Sequence, residues 1–589
     1  MLFQDSDDPV TLGLRASARQ LAGVAIFSGV INLLTLSGSI YMLQVYDRVI
    51  PSRNVGTLLG LSLIILTAYL LQGYLEALRS RMLARIGTLF DVKLQEPIHM
   101  ALATLPLKGV RPVLTLQPLR DLDQLRAFLS GMGPTAFLDM PWIPIFLIAL
   151  FLFHPIIGLA ATFGAVGIIG MTLLSERQSK IPARSAMERS AHRQLLADAT
   201  RLNADVIRAL GMTQRFTARW SRANERYLNE NMRAMDIYAN LGSVAKVLRF
   251  ILQSAILGIG AYLVVIEQAS GGIMIASSIM MGRALAPIEV ALSTWKQLVA
   301  ARQSLKRLRD ILKVSGGEEP TRVVLPRPRH ELSVQNLSAA APGTNKIICS
   351  NVSFSLAAGM GLAIVGPSAS GKSSLTKALV GIWPLAEGVV RLDGAAIDQW
   401  HFDDLGRHLG YLPQDVALFD GTVAENIARF DETATSEAII EAAVTAGAHE
   451  MILRLPEGYS TRIGEAGAAL SAGQRQRVGL ARAAFGNPFL IVLDEPNANL
   501  DSEGEAALTK AINTLRARDC VVIVVSHRPS ALAALNMAMV VYGGKMMAFG
   551  PRDEVFARVA RASAPMQGNS TSPVAHGALA TVSDCKGAA

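Results

Sequence analysis

Charge is scarce in this chain. Only 17% of its 589 residues are Asp, Glu, Lys or Arg, and the mean hydropathy of +0.33 is unusual for a water-soluble protein. Cysteine is scarcer still: Cys349, Cys520 and Cys585 lie far apart and are odd in number. They exclude a disulfide framework and any zinc spacing, and they fit a reducing compartment. No internal repeat is evident. The start, Met1–Arg19, carries acids and lacks a lysine-rich run, which argues against a cleaved signal peptide. A formal charge of +9 invites a nucleic-acid partner, but no basic-aromatic stripe exists to hold one, so none is expected.

Long apolar runs are what the first half has in place of charge. Leu21–Val45 is uncharged, long enough to cross a hydrocarbon core at about 1.5 Å per residue. Val55–Leu75 follows after the polar turn Asp47–Asn54. Phe137–Phe153 and Ile156–Leu174 form a second pair, with Asp139 near its entrance, and Phe250–Ile266 and Ile273–Leu292 a third. Six spans in three hairpins imply a lipid environment. Between the hairpins, Glu76–Pro134 and Glu176–Lys246 are polar and helical in pattern, and the second is rich in arginine. Positive loops stay in the cytoplasm, so both segments and both chain ends are expected there. Arg283 falls inside the sixth span. A charge at that depth marks either a functional path or a quiet ion pair, with Glu289 the nearest acid in sequence.

Gln303–Val314 continues as a charged helix, and Ser315–Pro328 carries the glycines and prolines of a linker. These shifts divide the chain into a short cytoplasmic N-terminus (1–20), an all-α six-span transmembrane domain (21–302), a linker (303–330), an α/β domain (331–561) and a disordered tail (562–589).

The second half turns on Gly366-Pro367-Ser368-Ala369-Ser370-Gly371-Lys372-Ser373. An apolar run precedes it, and Ser374 continues into a helical pattern. Strand, glycine-rich turn and helix is the context of a phosphate-binding loop. Glycines let successive N–H groups point inward, and the helix adds its positive end. Lys372 is expected to reach the terminal phosphates, and the Ser373 hydroxyl to sit on Mg²⁺. Farther on, Leu409–Leu412 leads to Gln414, Phe489–Leu493 to Asp494-Glu495, and Val521–Val525 to Ser526-His527. Phosphoryl transfer needs such parts. Asp494 serves the metal, Glu495 polarises the attacking water, Gln414 reaches both, and His527 contacts the γ-phosphate.

In this order and spacing the motifs resemble an ATP-binding-cassette (ABC) ATPase across about Glu331–Ala557. Leu470-Ser471-Ala472-Gly473-Gln474 matches the family's signature, and Asn499-Leu500-Asp501 its D-loop. The resemblance implies that Ser471, Gly473, Gln474 and Asp501 close over the ATP held by a second copy, hence a homodimer. Six spans ahead of one cassette resemble an exporter half-transporter. Tyr41–Asn54, Leu138–Phe146, Gly282–Glu289 and Asp494–Asp501 are similar to stretches of the ATPase-permeases of bacterial type I secretion, the PrtD-type branch that exports metalloproteases. That likeness implies an inner-membrane site, a periplasmic membrane-fusion adaptor, an outer-membrane tunnel protein and a secreted polypeptide with a C-terminal signal. An exporter of lipid or small hydrophobic molecules is the alternative, because the cassette is indifferent to cargo. Two departures stand out. Ala472 replaces a usual glycine, and Ser338–Gly343 lacks the aromatic that stacks on adenine. No peptidase-like domain precedes the first span, so leader processing is not expected.

Overall fold

The computed structural model describes residues 18–109, 117–315, 325–344 and 346–563. Cys585, the expected tail beyond Ser563 and the middle of the Ser315–Pro328 linker lie outside them. The chain forms two compact units, one helical and one built on sheets.

The helical unit contains α1 (Ala18–Gln44), α2 (Val55–Thr104), α3 (Gln117–Ser130), α4 (Gly133–Asp139), α5 (Ile143–Phe153), α6 (Pro155–Leu202), α7 (Thr213–Val265) and α8 (Gly271–Ser315). Among the described residues, six helical stretches, α4 and α5 counting as one, are long and apolar enough to cross a membrane. Helices α2, α6 and α7 run for 50, 48 and 53 residues, more than twice the roughly 20 that a bilayer requires. The apolar stretch of each therefore continues into the polar segment that joins the hairpins.

The first hairpin differs from expectation. Asp47 belongs to no turn; α1 passes into a π-helical turn at Val45–Val49 and stays helical to Ser52. Only Arg53, in a left-handed conformation, and Asn54 make the bend, and the Asn54 side chain accepts from the Thr57 N–H at 3.1 Å. The Asp47 carboxylate is held elsewhere. It accepts from the Gly272 N–H at 2.8 Å and the Ser270 hydroxyl at 2.5 Å, and so caps the start of α8.

The third span is broken. A 3₁₀ turn at Met140–Trp142 separates α4 from α5, and prolines 141 and 144 occupy first turns, where a missing N–H is harmless. At the break, Asp139 accepts from Asn32 at 2.8 Å and pairs with Arg79 at 3.2 Å, while Arg79 also reaches the Ser28 hydroxyl. One carboxylate thus ties α1, α2 and α4 together.

Arg283 does not pair with Glu289. The two are six positions apart on one helix, about 120° around its axis from each other, whereas neighbours on a face lie three or four apart. Glu289 is held by Arg249 of α7, and Arg283 is exposed, with no ion pair among the described residues. The core of this bundle is formed by Phe146, Leu150, Ile157, Ile256, Leu263 and Met281, all nearly inaccessible.

The second unit contains two sheets. A four-stranded antiparallel sheet has the order β2-β1-β4-β5, from β1 (Glu331–Ala340), β2 (Ile347–Ala357), β4 (Leu385–Leu392) and β5 (Ala395–Ala396). The other has the order β10-β9-β3-β8-β7-β6, from β3 (Gly361–Val365), β6 (Leu409–Leu412), β7 (Leu490–Asp494), β8 (Val521–Val525), β9 (Met537–Tyr542) and β10 (Lys545–Pro551). Strands β6, β7, β8, β3 and β9 are parallel, and β10 alone runs against its neighbour. Strands β3, β7 and β8 are buried along their whole length, which explains why they read as unbroken apolar runs rather than alternating ones. Parallel strands bring their carboxyl ends to one edge, and that edge carries the chemistry.

Candidate nucleotide site

Four strand ends deliver the candidate residues. The phosphate loop leaves β3, Gln414 follows β6, Asp494 ends β7 with Glu495 next, and His527 follows β8. Backbone constraints shape the loop. A Cβ on Gly366 would lie 2.1 Å from the Val541 carbonyl, and Gly371 sits at φ +96° beside the Cys349 thiol; no other residue fits either position without strain. Helix α9 (Lys372–Leu379) begins directly after, with its first N–H groups open to an anion.

Lys372 is buried. Its Nζ donates to the Gly366 and Pro367 carbonyls, each at 2.8 Å, so the ammonium is held against the loop. Burial lowers its pKa, while the charges of Glu495 and Asp494 oppose the shift. Pro367 is partly buried, Ser368 and Ala369 are exposed on the loop, and the Ser370 hydroxyl is buried without a hydrogen bond. Asp494 is buried too. Burial raises its pKa, and a hydrogen bond from Ser373 pulls the other way. Its Oδ1 has no hydrogen-bond partner. A buried carboxylate oxygen beside a serine hydroxyl is a donor set suited to a hard cation such as Mg²⁺.

Glu495 is held in a strained backbone at φ +50°, with its N–H given to the Val525 carbonyl at 2.9 Å. Its carboxylate accepts from the Gln414 amide at 3.2 Å and lies 4.0 Å from His527 Nε2. Burial and Lys372 lower the His527 pKa against the pull of Glu495, so the imidazole is neutral at physiological pH and has one N–H to offer. The structure therefore gathers Lys372, Ser373, Gln414, Asp494, Glu495 and His527 at one edge.

The remaining candidates form a second cluster. Ser471 caps α10 (Ala472–Ala484): its hydroxyl accepts from the Gln474 N–H at 3.3 Å, and the Gln474 side chain accepts from the Ser471 N–H at 2.8 Å. Ala472 is the first residue of that helix. Alanine, with fewer backbone conformations to lose than the usual glycine, suits that position. Asp501 caps α11 (Ser502–Ala517), accepting from the Gly504 N–H at 2.8 Å and from Arg477 at 3.0 Å. Ser471, Gly473, Gln474 and Asp501 line a cavity of about 520 Å³ that no residue of the phosphate loop reaches.

Some supporting residues escape sequence reasoning. The Ser526 hydroxyl donates to Asn497 at 3.2 Å, both buried. Gln476 donates to the Pro496 carbonyl at 3.0 Å, and Glu505 binds both Arg528 and Ser530, next to His527. Asn497 stands inside a motif the sequence displays, but the contact that gives it a task spans the strands β7 and β8. At the expected adenine side, Ala340 of β1 pairs with Ile347 of β2, whose side chain is exposed. Both residues of that pair are aliphatic.

Comparisons with known proteins bear on the family and the fold. The ABC transporter family profile matches residues 349–498, and the ABC transporter transmembrane region profile matches residues 21–285. The chain is 49% identical over 97% of its length to the type I secretion system ATP-binding protein PrsD of Rhizobium meliloti, covering 98% of that protein. It is 29% identical over 91% of its length to the toxin RTX-I translocation ATP-binding protein of Actinobacillus pleuropneumoniae, covering 75% of it. A bacterial Atm1-family ABC exporter with ATP bound superposes with a TM-score of 0.80 at 21% identity, over 94% of this chain and 99% of that one, which supports the fold.

Proposed function

The chain belongs to the ABC exporters of type I secretion, and from that premise we propose that two copies form the ATP-driven step that moves an unfolded polypeptide across a bacterial inner membrane. Its relatives' names speak of secretion and toxin translocation, which favours polypeptide over lipid as cargo. The proposed architecture is a short N-terminus, a six-span domain to about residue 302, and a cytoplasmic cassette from about residue 331. A periplasmic adaptor and an outer-membrane tunnel complete the route, and a C-terminal segment of the cargo is the signal.

One observation carries the dimer. The phosphate cluster and the signature cluster are each assembled within one chain, yet they line different spaces. Facing copies supply each phosphate loop with the other's Ser471 and Gln474. ATP lies along the Gly366–Ser373 backbone, with Lys372 against its terminal phosphates. Asp494, Ser373 and the Gln414 side chain would hold Mg²⁺, which would supply positive charge against the phosphates. Glu495 accepts a proton from the attacking water, and Gln414, bonded to the same carboxylate, orients it. His527, 4.0 Å from the same carboxylate, donates to the γ-phosphate.

Mixed dimers test this. Lys372→Ala kills the phosphate loop of one copy, and Ser471→Arg the signature of the other. Each homodimer should be inactive, whereas the mixed dimer keeps one complete composite site and should hydrolyse ATP. Inactive mixed dimers that still bind nucleotide would remove the composite site. Stimulation of turnover by an unfolded polypeptide in lipid nanodiscs, and none by added lipid, tests the cargo.

A further inference from the structure

A cavity of about 530 Å³ in the helical unit lies among α6, α7 and α8 and is lined by Tyr238, Lys246, Arg249, Glu289 and Lys296. A second, about 320 Å³, shares Met235, Tyr238 and Lys296 with it and continues past Asn231 and Tyr227 to Arg120. On α7 the lining residues 227, 231, 234, 238, 242, 245 and 249 recur at helical spacing, so they form one face. From Tyr227 to Arg249 that face is about 33 Å long at 1.5 Å per residue. The two cavities are therefore parts of one groove.

Its chemistry is uneven in sign. Arg120, Lys246, Arg249 and Lys296 line it, with Glu289 the single carboxylate. Glu289 is taken by Arg249, and Lys296 has no ion pair among the described residues. Lys246 and Arg249 flank the Phe250 ring at 5.9 and 5.5 Å, which holds both cations where the apolar part of α7 begins. The Tyr238 hydroxyl and Arg249 Nε are buried without partners, two donors for an incoming acceptor. Positive charge at a cytoplasmic boundary is ordinary in itself. Here it is drawn from several helices onto one groove.

We propose that this groove binds an extended, acidic stretch of the exported polypeptide on its way into the membrane. The proposal rests on the export reading and names the chemistry of its cargo. An extended chain rises about 3.3 Å per residue, so about ten residues fill the groove. A phospholipid headgroup occupies one level of a membrane and accounts for neither the length nor the polar lower half. Cargo carboxylates meet Lys246 and Lys296, and cargo backbone carbonyls accept from Tyr238 and Arg249.

The test uses the full chain in phosphatidylcholine nanodiscs and fluorescein-labelled peptides of ten residues, one alternating Asp and Ser, the other Asn and Ser. The wild type should bind the Asp peptide at least about tenfold more tightly by fluorescence anisotropy, and the gap should close as salt rises. Lys246→Gln with Lys296→Gln should abolish the gap. If that variant elutes as an aggregate, Tyr238→Phe takes its place and should weaken both peptides alike. A gap that survives the double substitution, or none in the wild type, overturns the proposal. Loss of co-purified anionic phospholipid with peptide selectivity intact assigns the groove to lipid and also overturns it. Stimulation of ATP turnover by a neutral unfolded polypeptide, with the Asp preference absent, would leave export standing and the groove without cargo.

Discussion

Polar residues do opposite work in the two units. In the ATPase unit the catalytic candidates gather at the carboxyl ends of apolar strands. Glu495 and His527 are each about one third exposed, while the strands before them are fully buried. In the helical unit the polar residues lie inside the packing. Asp139 and Arg79 join helices across 60 positions of sequence, and Asp47 reaches Gly272 across 225. Substitution should therefore separate activity from stability in one unit and confound them in the other.

The sharpest way to break that contrast is Asp139→Ala. Leaving Arg79 unpaired in a largely buried site should cost about 3–5 kcal/mol, seen as loss of the folded, monodisperse protein. Arg79→Met with Asp139→Leu should restore most of it. An Asp139→Ala protein with wild-type stability would show the pair to be ornamental. Next comes Glu495→Gln, which should lower ATP turnover by about 10²–10³-fold and leave the thermal midpoint unmoved. Turnover near wild type would take the carboxylate out of the reaction.

Asp494→Asn refines the same point. Burial raises the Asp494 pKa, so the folded state binds a proton more readily than the unfolded chain. Whatever stability this gives is present below the ordinary carboxylate pKa and is lost as pH rises through the raised one. Asparagine removes the buried charge, so at neutral pH the variant should melt no lower than wild type while losing Mg²⁺-dependent turnover. A lower midpoint would mean that Lys372 and Lys377 outweigh burial. Asp47→Ala removes a cap and should cost about 1 kcal/mol, read as a modest drop in midpoint without loss of assembly. The smallest effect concerns the base. With Ile347 in place of an aromatic platform, GTP should compete within about tenfold of ATP, a gap of 1.4 kcal/mol or less. A strong ATP preference would point to another stacking residue.

The same contrast explains what could be read from residues alone. The phosphate loop, the acid pair and the signature are short strings whose spacing is dictated by one turn or one helix start, and each was legible. The long apolar runs were legible too, since a bilayer fixes their length. Contacts across helices were not. Nothing local says that Asp47 caps a helix starting at Gly271, so a polar turn was the natural reading of Asp47–Asn54. Nothing local gives Glu289 to Arg249, although helical geometry alone forbids a pair with Arg283. The six-residue separation held that answer.

Ser471 has a consequence for reversibility. A hydroxyl has two lone pairs and one proton, and capping α10 engages only a lone pair. In the proposed dimer that proton would be available to a phosphate oxygen of ATP held by the facing copy. Engagement then breaks no bond within the chain, and release leaves none to be remade. Ser471→Asn would keep the lone pair and lose the hydroxyl proton, leaving α10 capped but its contact with the facing phosphate altered.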